Sequence, residues 1–207
     1  QAPWPANARL AIAAHGSDLT RLGPPPPAFT RAASRVDALL PVSGFLADEL
    51  GRLGVADRRV RVLPMPLPEP PPASAAARSG LVCLCRLTPL KGVDRAIALA
   101  RALGEPLTVI GDGPAGAALR ASAPDVRFLG QLPRHEALEH LSGARAVVLL
   151  PRVDRDGTGA EGLGLALLEG AALGVPAIGC RTGGVPEAVG PGVLLDRPDD
   201  PSPADLA

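Results

Sequence analysis

Residues 81–110 read LVCLCRLTPLKGVDRAIALARALGEPLTVI. An apolar run, Leu81–Cys85, gives way to a polar loop and then to a stretch with Val93, Ile97, Ala100 and Leu103 at the spacing of one helical face. A second apolar run, Leu107–Ile110, follows. Short, continuously apolar strands on either side of an amphipathic helix point to a parallel sheet covered on both faces. The alternation continues to the end of the chain. Strand-like runs at Val126–Leu129, Ala146–Leu150, Pro176–Gly179 and Val193–Leu195 are interleaved with helical periods over Ala115–Ala121, His135–Leu141 and Leu163–Ala172. A doubly wound α/β domain is the expected result.

Upstream, residues 64–72 read PMPLPEPPP, with six prolines in nine positions. Proline removes the backbone donor and fixes φ, so this density reads as a stiff, extended linker. Before it, Leu10–Ala14, Ala38–Val42 and Val60–Leu63 read as strands and Ser43–Leu50 as a helix. Three strands are too few for an independent parallel sheet, and SPADLA at 202–207 looks like a helix barely begun. The expected division is 1–63 as the C-terminal part of a first domain, 64–78 as linker, and 79–207 as the second domain without its tail. The chain is therefore expected to be a fragment of a longer polypeptide.

Composition bounds the function. With 46% hydrophobic and 20% charged residues, the chain of 207 can bury a core. Its 21 basic and 21 acidic side chains cancel, which argues against a dedicated nucleic-acid binder. No apolar run is long enough to span a bilayer, and no signal-peptide pattern opens the chain. Cys83, Cys85 and Cys180 match no zinc or redox spacing, and an odd count does not suit a disulfide scaffold, so a reducing cytosol fits best. Twenty of the basic residues are arginine, a bias that resembles high-GC codon usage. Lys91 is the single lysine, and it stands where composition favours arginine.

Three motifs carry chemistry. Gly111-Asp112-Gly113-Pro114-Ala115-Gly116 is a literal GxGxxG between a strand and a helix. It follows the second strand rather than the first, and the next strand ends Phe128-Leu129-Gly130 without the carboxylate a dinucleotide ribose needs. A tight turn, or a turn lining some other nucleotide, is the better reading. Arg86 and Lys91 lie in the loop after the first strand, where open α/β sheets bind ligands. The two cations could converge on a diphosphate. Lys91 opposes the dipole of the helix it precedes, which makes sense if an anion lies between. Third, Glu161-Gly162-Leu163-Gly164 opens a helix whose uncovered N–H groups suit a phosphate or sugar hydroxyl. Eight positions on, Glu169 falls in an apolar stretch and needs a partner such as ribose hydroxyls.

The ordered set of motifs, ending in Gly183-Gly184-Val185-Pro186-Glu187, resembles the C-terminal domain of the retaining GT-B glycosyltransferases of family 4. His15-Gly16-Ser17-Asp18 and Val42-Ser43 look like the end of that family's N-terminal domain. The resemblance implies two facing Rossmann-like, doubly wound parallel-sheet domains, the first incomplete here, with a nucleotide-sugar donor in the cleft. It implies that Arg86 and Lys91 neutralise the donor diphosphate and that Glu169 holds the ribose. Backbone near Gly113, Leu129 and Gly130 would meet the nucleotide, and Glu161 with Gly162, Leu163 and Gly164 would grip the sugar and β-phosphate. His15 would bond a sugar hydroxyl or the acceptor side.

The donor implied is a UDP-, GDP- or ADP-sugar, and the acceptor a saccharide or lipid-linked molecule in surface polysaccharide or glycolipid assembly. The setting implied is cytoplasmic, with peripheral membrane contact through the first domain at the inner membrane face. No metal is expected, because the D-R-D of Asp154 and Asp156 in the long loop reads as solvated rather than as a metal-binding DxD motif. Leu163 stands where the family often has phenylalanine, and the loop before Glu161 is longer than usual. Without the first part of its N-terminal domain the chain alone is expected to be inactive. Two other readings stay open: an NAD(P)-dependent oxidoreductase or sugar-nucleotide epimerase using GDGPAG, and a noncatalytic sugar-nucleotide-binding module.

Overall fold

The computed structural model describes residues 9–16, 27–33, 35–55, 58–67, 77–153, 159–196 and 198–199. Most of the proline-rich stretch, Ser17 and Asp18, Asp154 and Asp156, and the terminal 202–207 lie outside the described residues.

Among the described residues two parallel sheets form. The larger has six strands: β3 Leu81–Leu84, β4 Leu107–Ile110, β5 Arg127–Gly130, β6 Ala146–Val148, β7 Ala177–Cys180 and β8 Val193–Leu195. Their spatial order is β5-β4-β3-β6-β7-β8, so the chain winds outward in one direction from β3, returns to its other side, and winds outward again. The reversal lies between β3 and β6, and at their carboxyl ends the connecting loops diverge and open a crevice. The helices are α3 Val93–Leu103, α4 Gly116–Ser122, α5 Arg134–Ser142, α6 Leu165–Ala172 and α7 Val185–Val189.

Although the strands are continuously apolar, their side chains divide between two cores at a period of two. Leu81, Cys83, Leu107, Val109, Val148 and Cys180 pack with α3 on one face. Val82, Ile110, Val147, Leu149 and Ala177 pack with residues of α5, α6 and α7 on the other. Helix α3 buries Val93, Ala96, Ile97, Leu99 and Ala100, and carries Asp94 in its first turn and Arg101 in its last, both favourable to the dipole. Gly104 ends it with φ +65°, and its N–H donates to the Ala100 and Arg101 carbonyls.

The smaller sheet pairs β1 Ala11–Ala14 with β2 Ala38–Pro41 in parallel, Ala11 opposite Ala38. The expected strand at Val60–Leu63 reduces to one bridge, Leu39 to Val60, continued by Leu63 N donating to Pro41 O at 2.8 Å. Pro64 and Pro66, which cannot donate, follow at once. Helix α1, Pro27–Ala33, is not marked by any apolar period; it starts at the last of four consecutive prolines. Helix α2, Gly44–Leu50, is capped by Ser43, whose Oγ accepts from Leu46 N at 3.2 Å. Leu39, Val42, Leu46 and Leu50 form the core of this lobe, and Leu163 from the other lobe packs against it.

Candidate functional site

The loop after β3 folds as a short 3₁₀ turn, Pro89–Lys91, with proline pre-set at its start. It is pressed onto the loop after β6: Arg152 N donates to Leu90 O at 2.7 Å. Arg95 on α3 reinforces the contact, donating to Pro151 O at 2.8 Å and, through Nε and Nη2, to Asp199 at 2.7 Å each. Arg152 forks onto Asp94 at 2.7 and 2.6 Å. Burial opposes the charge on Asp94, but the Arg152 guanidinium outweighs it and holds the carboxyl below its ordinary value. The two loops that flank the switch point are thus tied together.

Between them lies a cavity of about 240 Å³, lined by Leu84, Cys85, Lys91, Leu149, Glu161, Gly164, Leu165, Ala166 and Glu169. Three of the sequence-selected polar residues therefore meet across 78 positions of chain. Lys91 Nζ donates to Glu161 Oε2 in a direct ion pair, with the two side chains 25% and 12% exposed. The anion beside Lys91 in this structure is the protein's own carboxylate. Glu169, 7% exposed, accepts from Arg134 Nη1 at 2.6 Å through Oε1. Oε2 has no partner among the described residues, and no described buried side-chain oxygen or nitrogen lacks one, so Oε2 keeps contact with the open cavity. Arg134 was not singled out by the sequence. Yet it stands at the first position of α5, a cation against the helix dipole, which is the cue that picked Lys91.

Helix α6 begins at Leu165, two residues later than expected, with Gly164 as its N-cap at φ +92°. Glu161 therefore belongs to the approach to the helix, and Glu169 lies only about one turn inside it. Arg86 is exposed; its carbonyl accepts from Thr88 N at 2.9 Å, while its guanidinium makes no hydrogen bond or ion pair among the described residues. It lines an adjoining cleft of about 460 Å³ with Leu84, Cys85, Ile110, Gly111, Asp112, Gln131 and Leu132. Arg86 and Lys91 thus face neighbouring cavities that share Leu84 and Cys85 as a wall, rather than one common centre.

The GDGPAG glycines serve internal packing. A Cβ on Gly111 would lie 1.9 Å from Cys85 O, and one on Gly113 2.5 Å from Leu87 O. The loop after β4 needs those glycines to approach the loop after β3, so their spacing gives no support to a dinucleotide pyrophosphate. Gly113 is absent from the described walls of both cavities. Gly130, with φ +71° and open space at its Cβ position, precedes the cleft-lining Gln131 and Leu132, whereas the Leu129 side chain packs into the core. Leu163 likewise turns its side chain into the hydrophobic contact between the lobes. His15 is exposed at the end of β1, and its carbonyl lies 3.1 Å from where a Gly162 Cβ would be, so the first lobe touches the segment that carries Glu161.

Cys83 is fully buried with its Sγ 3.9 Å from that of Cys85. The hydrogen bond to Cys85 and burial push its thiol well above the ordinary range. Among the described residues no group of three or more His, Cys, Asp or Glu could hold a metal ion, and no helix is long and apolar enough to cross a membrane.

Known proteins share this architecture and sequence. The chain is 34% identical over 130 residues to a GDP-mannose-dependent monoacylated alpha-(1-6)-phosphatidylinositol monomannoside mannosyltransferase of Corynebacterium glutamicum, covering 58% of this chain and 34% of that protein. It is 28% identical over 194 residues to the amylovoran biosynthesis glycosyltransferase AmsK of Erwinia amylovora, covering 84% and 47%. The chain thus spans between a third and a half of the length of these curated relatives. In structure it matches Anabaena Alr3699/HepE in complex with UDP and glucose with a TM-score of 0.66 at 18% identity, covering 86% of this chain and 54% of that one. The fold is that of the GT-B glycosyltransferases. The model of the glycosyl transferases group 1 matches residues 78–207, the whole six-stranded lobe and well over half of the sequence. On that match, the chain belongs to the glycosyl transferases group 1 family.

Proposed function

We propose that this chain is the donor-binding part of a retaining glycosyltransferase that moves a hexose from a nucleoside-diphosphate sugar to a saccharide or lipid-linked acceptor. The observation that carries the reading is the cavity at the switch point, where Lys91, Glu161 and Glu169 meet at the glycine-opened start of α6. Relatives named for GDP-mannose dependence and a structural neighbour holding UDP and glucose agree with it.

In this reading the donor diphosphate takes Lys91 from Glu161 and extends toward Arg86. Glu169 accepts a ribose hydroxyl through its solvent-facing Oε2 while Arg134 keeps the carboxylate oriented. The nucleobase occupies the cleft beside Gly130 to Leu132. Glu161, released from Lys91, accepts sugar hydroxyls, and the amides of Gly162, Leu163 and Gly164 face the sugar and β-phosphate. His15 approaches from the acceptor side. As the glycosidic bond breaks, charge develops on the leaving phosphate oxygen, and a fixed ammonium with a helix N-terminus stabilises it without reorganisation. That oxygen can take the acceptor proton on the same face, so the anomeric configuration is retained.

Calorimetric titration with UDP and with GDP, each with and without EDTA, is the test. Binding of one nucleotide that survives the chelator is expected. Binding of neither, or binding abolished by EDTA, would refute the donor arrangement as drawn.

A further inference from the structure

Glu187 lies outside the donor cavity, yet both of its carboxylate oxygens are committed across the lobes. Oε2 accepts from Gly44 N and Oε1 from Phe45 N, each at 2.8 Å. These are the first two amides of α2, donors that have no acceptor within their own helix. Ser43 supplies the rest of the cap, and its hydroxyl donates to Gly162 O at 2.7 Å. The start of α2 is therefore capped partly by its own lobe and partly by Glu187 of the other.

The segment that bears Glu187 also grips the donor side. Gly184 N donates to Glu161 O at 2.9 Å. Gly183 and Gly184 lie so close to this backbone that a Cβ would come within 2.2 Å of Glu161 O and of Gly162 O respectively. Gly162 in turn abuts the first lobe, where a Cβ would meet Gly16 Cα at 2.9 Å. One short stretch, residues 183–187, thus holds the backbone of Glu161 and Gly162 and the helix start of the facing lobe together.

We propose that Glu187 is a positioning residue: it latches the first lobe over the donor site, so that the placement of His15 and of α2 is coupled to the segment that carries Glu161. The catalytic consequence rests on the glycosyltransferase reading; the latch itself rests only on the contacts between the lobes. A carboxylate is suited to the task because it accepts two parallel amide donors at once. Glutamine matches its shape but offers one acceptor, and its NH₂ would face the second amide.

The test uses the full-length protein with Glu187→Gln, Glu187→Asp and Ser43→Ala. Small-angle X-ray scattering reports the lobe separation, calorimetry the affinity for UDP and GDP, and steady-state turnover of GDP-mannose and UDP-glucose the chemistry. For Glu187→Gln we expect a larger radius of gyration, nucleotide affinity within about twofold of wild type, and kcat lowered about fivefold or more. Glu187→Asp should restore part of kcat. Ser43→Ala should open the lobes in the same sense, with the double variant short of the sum. An unchanged radius and kcat in Glu187→Gln overturns the latch. So does a loss of nucleotide affinity as large as the loss of kcat, which would make Glu187 a support of the donor loop alone. If the wild-type protein binds neither nucleotide, the donor reading fails while the scattering comparison still decides the latch.

Discussion

Replacing Glu161 with glutamine should tighten the binding of a nucleoside diphosphate that carries no sugar. Lys91 is already neutralised by the Glu161 carboxylate, in a pair only 25% and 12% exposed. A diphosphate that takes Lys91 leaves this largely buried carboxylate beside a new anion and without its cation. A hydrogen bond between charged groups is worth about 1.5–3 kcal/mol net. Since the ammonium is a quarter exposed, the lower figure applies, and about 1.5 kcal/mol is roughly tenfold in affinity. Glutamine abolishes the competition and leaves Lys91 seeking an anion. Titration of UDP and GDP into wild-type and Glu161→Gln protein, in EDTA and at two salt concentrations, measures the gain, which should shrink as screening rises. With an intact nucleotide sugar the gain should vanish, because the same carboxylate is then needed for sugar hydroxyls, and transfer should fall. A variant that folds normally yet binds free nucleotide no better than wild type would show that Glu161 does not compete for Lys91.

Glu169→Gln should weaken UDP or GDP about tenfold or more, since a charged acceptor for hydroxyl donors is lost; competition binding reads this directly, and unchanged affinity would remove Glu169 from the ribose site. Gly111→Ala should destabilise the fold by more than about 1–3 kcal/mol, because its Cβ would sit 1.9 Å from Cys85 O, whereas Gly104→Ala, with nothing within 4 Å, should cost only the left-handed backbone penalty of about 1–2 kcal/mol; thermal unfolding of the two variants makes the comparison. Acid should loosen the loops at the switch point. Asp94 has a folded pKa held below the ordinary carboxylate value, so its contribution is present above about pH 4 and is lost as pH falls through the depressed folded value. Unfolding measured from pH 6 down to pH 2 should show a shallower acid limb in Asp94→Asn than in wild type.

What the sequence determined by itself is the six-stranded lobe and the places where its chemistry could reside. Each strand there, and each helix except the short α7, is marked by its own apolar period, and that period records burial, which every element settles locally against whatever covers it. The loops at strand ends followed from the same pattern; Lys91 and Glu169 stood out as residue types at odds with their local surroundings, and Arg86 and Glu161 by their places at a strand end and a helix start. The first lobe was less legible. Its strands are short, Pro27–Ala33 hides behind a run of prolines, and the third strand survives as one bridge.

Only the tertiary structure decided who meets whom. Lys91 pairs with a carboxylate 70 positions away, Arg134 with one 35 away, and Glu187 caps amides 143 and 142 positions upstream. None of these pairs is dictated by a period or a spacing, because each depends on the strand order that brings β3 beside β6 and on the packing of one lobe against the other. The glycines of GDGPAG make the same point: a nucleotide fingerprint along the chain becomes, in space, the clearance that lets one backbone loop lie against the carbonyls of Cys85 and Leu87.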